Sequence, residues 1–132
     1  MRKTTVRQQP NPPASPDQRS AVVSKAVCRA AELLGLSSAA LARTIGVSEA
    51  TASRLRAGAT MLEADTKPYE LALLLVRLFR GLDAVVGGDE ASRQSWMVAA
   101  NHALGGVPRN LVQSVTGLVA AVEYVDAARA RV

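Results

Sequence analysis

The chain has 132 residues, 48% of them hydrophobic but only 3% aromatic, and a net charge of +5. That is enough apolar surface for one modest domain or two very small ones, closed through Ala, Leu and Val rather than rings, so the expected class is all-α. One cysteine, Cys28, excludes an internal disulfide, and one histidine, His102, leaves too few soft ligands for zinc; neither metal nor cofactor is expected, and a reduced, cytoplasmic setting is.

Residues 1–19, MRKTTVRQQPNPPASPDQR, lack apolar periodicity and hold four prolines between positions 10 and 16. They are expected to form a disordered basic arm, whose Arg2, Lys3, Arg7 and Arg19 could follow a DNA backbone. The arm runs into no apolar leader segment, and no later run reaches membrane-spanning length, so a protein that is neither secreted nor membrane-embedded is expected. From Ser20 a helical spacing begins: Val23, Ala26, Val27, Ala30, Leu33 and Leu34 fall on one face, Lys25, Arg29 and Glu32 on the other, and Gly35 ends the run. Cys28 lies beside the stripe and reads as a small, partly buried side chain.

Residues 37–58 predict two short helices on a tight turn. Leu41, Ala42 and Ile45 share one face of the first, and Ala52 and Leu55 line the inward face of the second. Gly46 is placed to leave the first helix with positive φ, and Ser38 and Ser48 stand where N-caps are needed. This is the pattern of a helix-turn-helix. Its second helix would turn Ser48, Glu49, Ala50, Ser53 and Arg54 outward, with Arg56 flanking, toward base edges and phosphates. Charge agrees with that reading. Residues 1–60 hold nine Lys or Arg against three Asp or Glu, a balance of +6, whereas residues 61–132 hold seven against eight, a balance of −1. The basic charge thus travels with the candidate DNA-facing half.

Residues 59–66 read as a linker. Pro68 then suits the first turn of a strongly apolar helix, about residues 67–82, with Leu71, Leu74, Leu75, Leu78 and Leu82 in one stripe that Tyr69, Leu73, Val76 and Phe79 widen. A helix so apolar needs cover on two sides. It is expected to be the central helix of the fold and, through Leu71, Leu74, Leu75, Leu78 and Phe79, to mediate self-association as a homodimer or higher. Val86-Gly87-Gly88 breaks the chain, and Asp89 is a credible N-cap for a helix holding Ala91, Trp96 and Met97. Trp96 is expected as a core anchor. In Asn101 to Leu111, NHALGGVPRNL, the Gly pair lacks the preceding strand and following Lys-Ser/Thr of a phosphate loop, so a turn fixed by Asn, Gly-Gly and Pro is expected. Pro108 opens the next helical run, along which Leu111, Val115, Leu118, Val122 and Val125 recur at spacings of four and three; Gly117 either divides it or marks a close crossing. Cys28, His102 and the scattered carboxylates form no triad, carboxylate pair or metal spacing, so an enzyme is not expected and no catalytic residue is assigned.

The series Trp96, Asn101, Leu104-Gly105-Gly106, Pro108, Leu111-Val112 and Gly117, ahead of Val119, Val122 and Val125, resembles the toxin-binding domain of the Xre/MbcA/ParS antitoxins. The helix-turn-helix from Leu41 to Gly58 precedes it in the same order. The resemblance implies an Xre-like helix-turn-helix domain followed by a small helical toxin-binding domain. The corresponding divisions are 1–19 arm, 20–62 DNA-binding domain, 63–88 linker and central helix, and 89–132 toxin-binding domain. It implies a type II antitoxin that blocks the active site of a RES-class, NAD-consuming toxin and represses its own operon. Trp96, Asn101, Leu104, Gly105 and Pro108 are the motif positions. Tyr124, Asp126, Arg129 and Arg131, on the last turns, are candidates to reach the toxin. The chain departs from many relatives at its end, where AARARV stands in place of a Tyr-Gly or Glu-Gly pair and a few further residues. The alternative reading is a stand-alone helix-turn-helix regulator whose C-terminal half dimerises or binds an effector, which would require a concave pocket.

Overall fold

The computed structural model describes Pro10 and residues 12–131; Arg2, Lys3 and Arg7 lie outside the described residues. Seven helices follow one another: α1 Pro16–Leu33, α2 Ser38–Ile45, α3 Glu49–Arg56, α4 Lys67–Val85, α5 Glu90–Val98, α6 Pro108–Leu111 and α7 Val115–Ala130. No strand occurs among the described residues beyond an isolated bridge between Asn101 and Gly106.

The first helix corrects the expected boundary of the arm. Ser15, Pro16, Asp17 and Gln18 form a capping box, in which the Ser15 hydroxyl accepts from the Gln18 amide and the Gln18 side chain accepts from Ser15 N, with Pro16 in the first turn. The helix therefore starts at Pro16 rather than Ser20, and Arg19 belongs to it. At α2 the cap is Ser37, one residue before the expected Ser38, with its hydroxyl accepting from Ala40 N at 3.1 Å. Ser48 caps α3 and Asp89 caps α5, each through its side-chain oxygen.

A continuous core runs from α1 to α7, and α4 is its spine. α1 and α2 cover one part of α4 and α7 covers another, so Leu71, Leu75, Leu78 and Leu82 are buried within the chain itself. This bears on the residues expected to mediate self-association. Leu71, Leu75 and Leu78 offer no surface to a second copy, and Leu74 and Phe79 are half-buried against the same core. The breadth of the stripe is explained by two halves of one chain sharing a helix. α4 extends to Val85, three residues past the expected end.

Three tertiary contacts were not visible in the apolar pattern. The linker is tied to α1: Leu62 is buried and donates its amide to Ser24 Oγ at 2.8 Å, and Arg19 makes a two-pronged bond to Asp65 at 2.7 and 3.0 Å. Arg93 of α5 is buried to 5% exposure; its Nε donates to the Leu33 carbonyl at 3.1 Å and its Nη1 to Asp83 at 2.9 Å. Its guanidinium also lies 5.6 Å from the centre of the Phe79 ring. A buried cation partnered in this way locks α5 onto the end of α1 and onto α4. At the other end of the chain, Gly117 is in the first turn of α7, where an added Cβ would stand 1.9 Å from the Leu111 carbonyl oxygen. The long apolar run is accordingly divided into α6 and α7, and the two meet at backbone distance.

Candidate functional site

The α2–α3 corner has the geometry its residues imply. Leu41, Ala42, Ile45, Ala52 and Leu55 are all buried, which fixes the two helices against each other and against α1 and α4. Gly46 leaves α2 with φ +75°, a conformation a side chain would strain, and its amide returns to the Ala42 carbonyl. Ser48 Oγ accepts from the Thr51 amide at 3.0 Å and donates to Thr51 Oγ1 at 2.9 Å, and Glu49 places a carboxylate in the first turn where the helix dipole favours it.

Ser48, Glu49, Ala50, Ser53 and Arg54 are exposed, on the side of α3 away from Ala52 and Leu55. Arg54 is steadied by Thr51 Oγ1 at 3.4 Å. Arg56 departs from this group: one Nη donates to the Leu36 carbonyl, turning the guanidinium back toward the α1–α2 connection. There it borders an open depression of about 870 Å³ along α1, with Val22, Lys25, Ala26, Cys28, Arg29 and Glu32. Burial pushes the Cys28 thiol up from its ordinary value, against a smaller opposing pull from Arg56, so nothing here favours the thiolate.

The motif positions of the C-terminal half mostly build a turn. Asn101 Oδ1 accepts from Leu104 N at 3.1 Å, and its backbone exchanges bonds with Gly105 and Gly106, so that α5 is followed by a closed loop. Pro108 is buried at the start of α6, and Gly105 is at the exposed tip. Trp96 and Tyr124 are half-buried against the core and stack on each other, with ring centres 6.4 Å apart and planes 28° apart. Tyr124 therefore belongs with α5 rather than with the free end of α7. Asp126 is engaged as well, bonding Arg77 of α4 at 2.8 Å. It lies in an open groove of about 350 Å³ with Leu73, Val76, Arg77, Arg80 and Arg129. Arg129 and Arg131 remain exposed at the end of the chain. Among the described residues no group of His, Cys, Asp and Glu side chains could hold a metal, and no helix is long and apolar enough to cross a membrane.

The family model described as an antitoxin Xre-like helix-turn-helix domain matches residues 13–77. A second, the antitoxin Xre/MbcA/ParS C-terminal toxin-binding domain, matches residues 81–131. The chain belongs to the Xre/MbcA/ParS antitoxin family. None of the curated proteins matches it. In this antitoxin the two matched regions meet inside α4, so the DNA-binding and toxin-binding halves share one helix and one core.

Proposed function

We propose that this antitoxin binds and neutralises a RES-class toxin, covering the entrance to its NAD site, and that with the toxin it represses its own operon. The succession of the two matched domains along one chain carries the reading. Ser48, Glu49, Ala50, Ser53 and Arg54 present a short polar face that suits base edges and phosphates, modest in charge. Arg56 lends its charge to this face from behind and is not assigned a direct contact. Affinity for operator DNA then leans on two copies being held together, by each other or by the toxin, with half-site centres about 34 Å apart or a multiple of that.

On the toxin side, Trp96 and Tyr124 form a stacked, half-exposed edge, and Asp126, Arg129 and Arg131 supply charge along the last turns of α7. Asn101, Leu104, Gly105 and Pro108 act by shaping the turn that sets α5 against α6 and α7. Co-expressing the chain with its neighbouring gene tests the proposal. Growth restored by full-length antitoxin and a complex that co-purifies are the expected results; growth arrest that persists despite full expression overturns it.

A further inference from the structure

A cleft of about 330 Å³ opens where the two matched domains face each other, lined by Gly35, Ser37, Ala40 and Arg43 from the α1–α2 region and by Arg109, Asn110 and Gln113 from the α6 region. Its charged side chains are two arginines, one from each domain, and no carboxylate lines it. Arg43 Nε donates to Gln113 Oε1 at 2.6 Å, and Gln113 Nε2 donates in turn to the Arg109 carbonyl at 3.1 Å. The guanidinium of Arg43 is thus held by one edge, with its two terminal nitrogens unpartnered among the described residues, and the Arg109 guanidinium has no partner there either. Arg19, Arg29, Arg56, Arg77 and Arg93 are bonded to a carboxylate or a carbonyl of their own chain, whereas Arg80, Arg129 and Arg131 are unpaired among the described residues but border no cleft shared by the two domains. One guanidinium held in place by Gln113 and a second, exposed and unpaired, on the rim of the same polar cleft leave a site for an anion that the chain does not supply.

We propose that Arg43 and Arg109 clamp a phosphodiester of operator DNA, so that the toxin-binding half contributes directly to the DNA interface. In a helix-turn-helix the first helix of the pair crosses the sugar-phosphate backbone while the second enters the groove. α2 is that first helix, and Arg43 stands on its exposed side. Gln113 carries no charge to the phosphate but positions Arg43 against α6, which makes it a positioning residue. The clamp rests on the operator-binding reading above and extends it beyond residues 13–77.

Salt-dependent binding of the antitoxin, alone and with its toxin, to a 30-base-pair duplex from upstream of its gene tests the clamp. An unrelated duplex of equal length serves as the second probe. Arg109→Ala is expected to weaken both duplexes by about fivefold and to make the negative slope of log K against log salt shallower by about one, while Arg109→Lys keeps the slope. Arg43→Ala should act alike, and the double variant should make the slope shallower by about two. Gln113→Ala should weaken binding with the slope nearly kept, since no charge is removed. An Arg109→Ala protein of unchanged melting temperature and unchanged slope overturns the clamp, as does one that loses toxin binding and keeps DNA binding. In either case, loss of binding by Arg54→Ala still upholds the operator reading. Absence of binding by the wild type at low salt, with and without toxin, overturns both.

Discussion

Among the glycines, Gly117 has the least room for a side chain. A methyl there would stand 1.9 Å from the Leu111 carbonyl oxygen, a backbone atom at the end of α6 that cannot swing aside as a side-chain tip can. Gly117→Ala is therefore expected to cost about 3 kcal/mol, well above what its better helix propensity returns. Denaturant titration checks this, and an unchanged midpoint would show that α6 and α7 part readily. Arginines show why sequence reading stops where it does. Arg54 and Arg56 stand two positions apart on one short helix, the first expected outward and the second flanking, yet Arg56 bonds back to Leu36 and Arg54 faces solvent. Arg93, in a polar stretch of sequence, is nearly fully buried because Leu33, Asp83 and Phe79 converge on it from residues distant in the chain. Periodicity reports which face is apolar; it does not report which polar group a neighbouring helix will partner.

Helices were legible where apolar spacing and caps agree. Leu41, Ala42, Ile45, Ala52 and Leu55 are buried as their spacing implied, and Pro68, Asp89 and Pro108 stand in the first turn or at the cap of their helices. The start of α1 was equally present in the sequence, in Ser15-Pro16-Asp17-Gln18, but was masked by the proline-rich residues before it. α4 is central, as its breadth of apolar surface implies; that the second cover comes from α7 is disclosed by no local pattern.

The caps also set an acid limit. Two bonds from Ser92 hold the Asp89 carboxyl below the usual carboxylate range, and Arg19 does the same for Asp65. A carboxyl whose folded pKa is depressed contributes stability above its unfolded value and loses it as pH falls through the folded one. The start of α5 and the linker's tie to α1 are thus expected to loosen below about pH 4 and to be unaffected between about pH 6 and 8. Hydrogen exchange compared below about pH 4 and at about pH 7, each corrected for its intrinsic rate, reads this directly. Asp89→Asn, which keeps a capping oxygen, should lessen the acid loss at α5 alone; equal loosening of α5 in wild type and variant would contradict the assignment.

At the scale of the whole molecule, charge and fold divide differently. The basic balance of +6 belongs to residues 1–60 and the remainder carries −1, but the core does not divide there, since α4 runs through both matched regions. Arg43 with Gln113, Arg77 with Asp126, and Arg93 with Leu33 and Asp83 add polar ties along and across that shared helix. A toxin bound to α5 and α7 would therefore press on elements that also seat the helix-turn-helix. The central claim, that the C-terminal half covers the toxin's NAD site, is tested most directly by titrating purified antitoxin into purified toxin and following NAD consumption. Loss of activity that completes at a fixed stoichiometry, and that Trp96→Ala and Tyr124→Ala weaken, is the predicted result. Undiminished NAD consumption by toxin in a complex already saturated with antitoxin would contradict it.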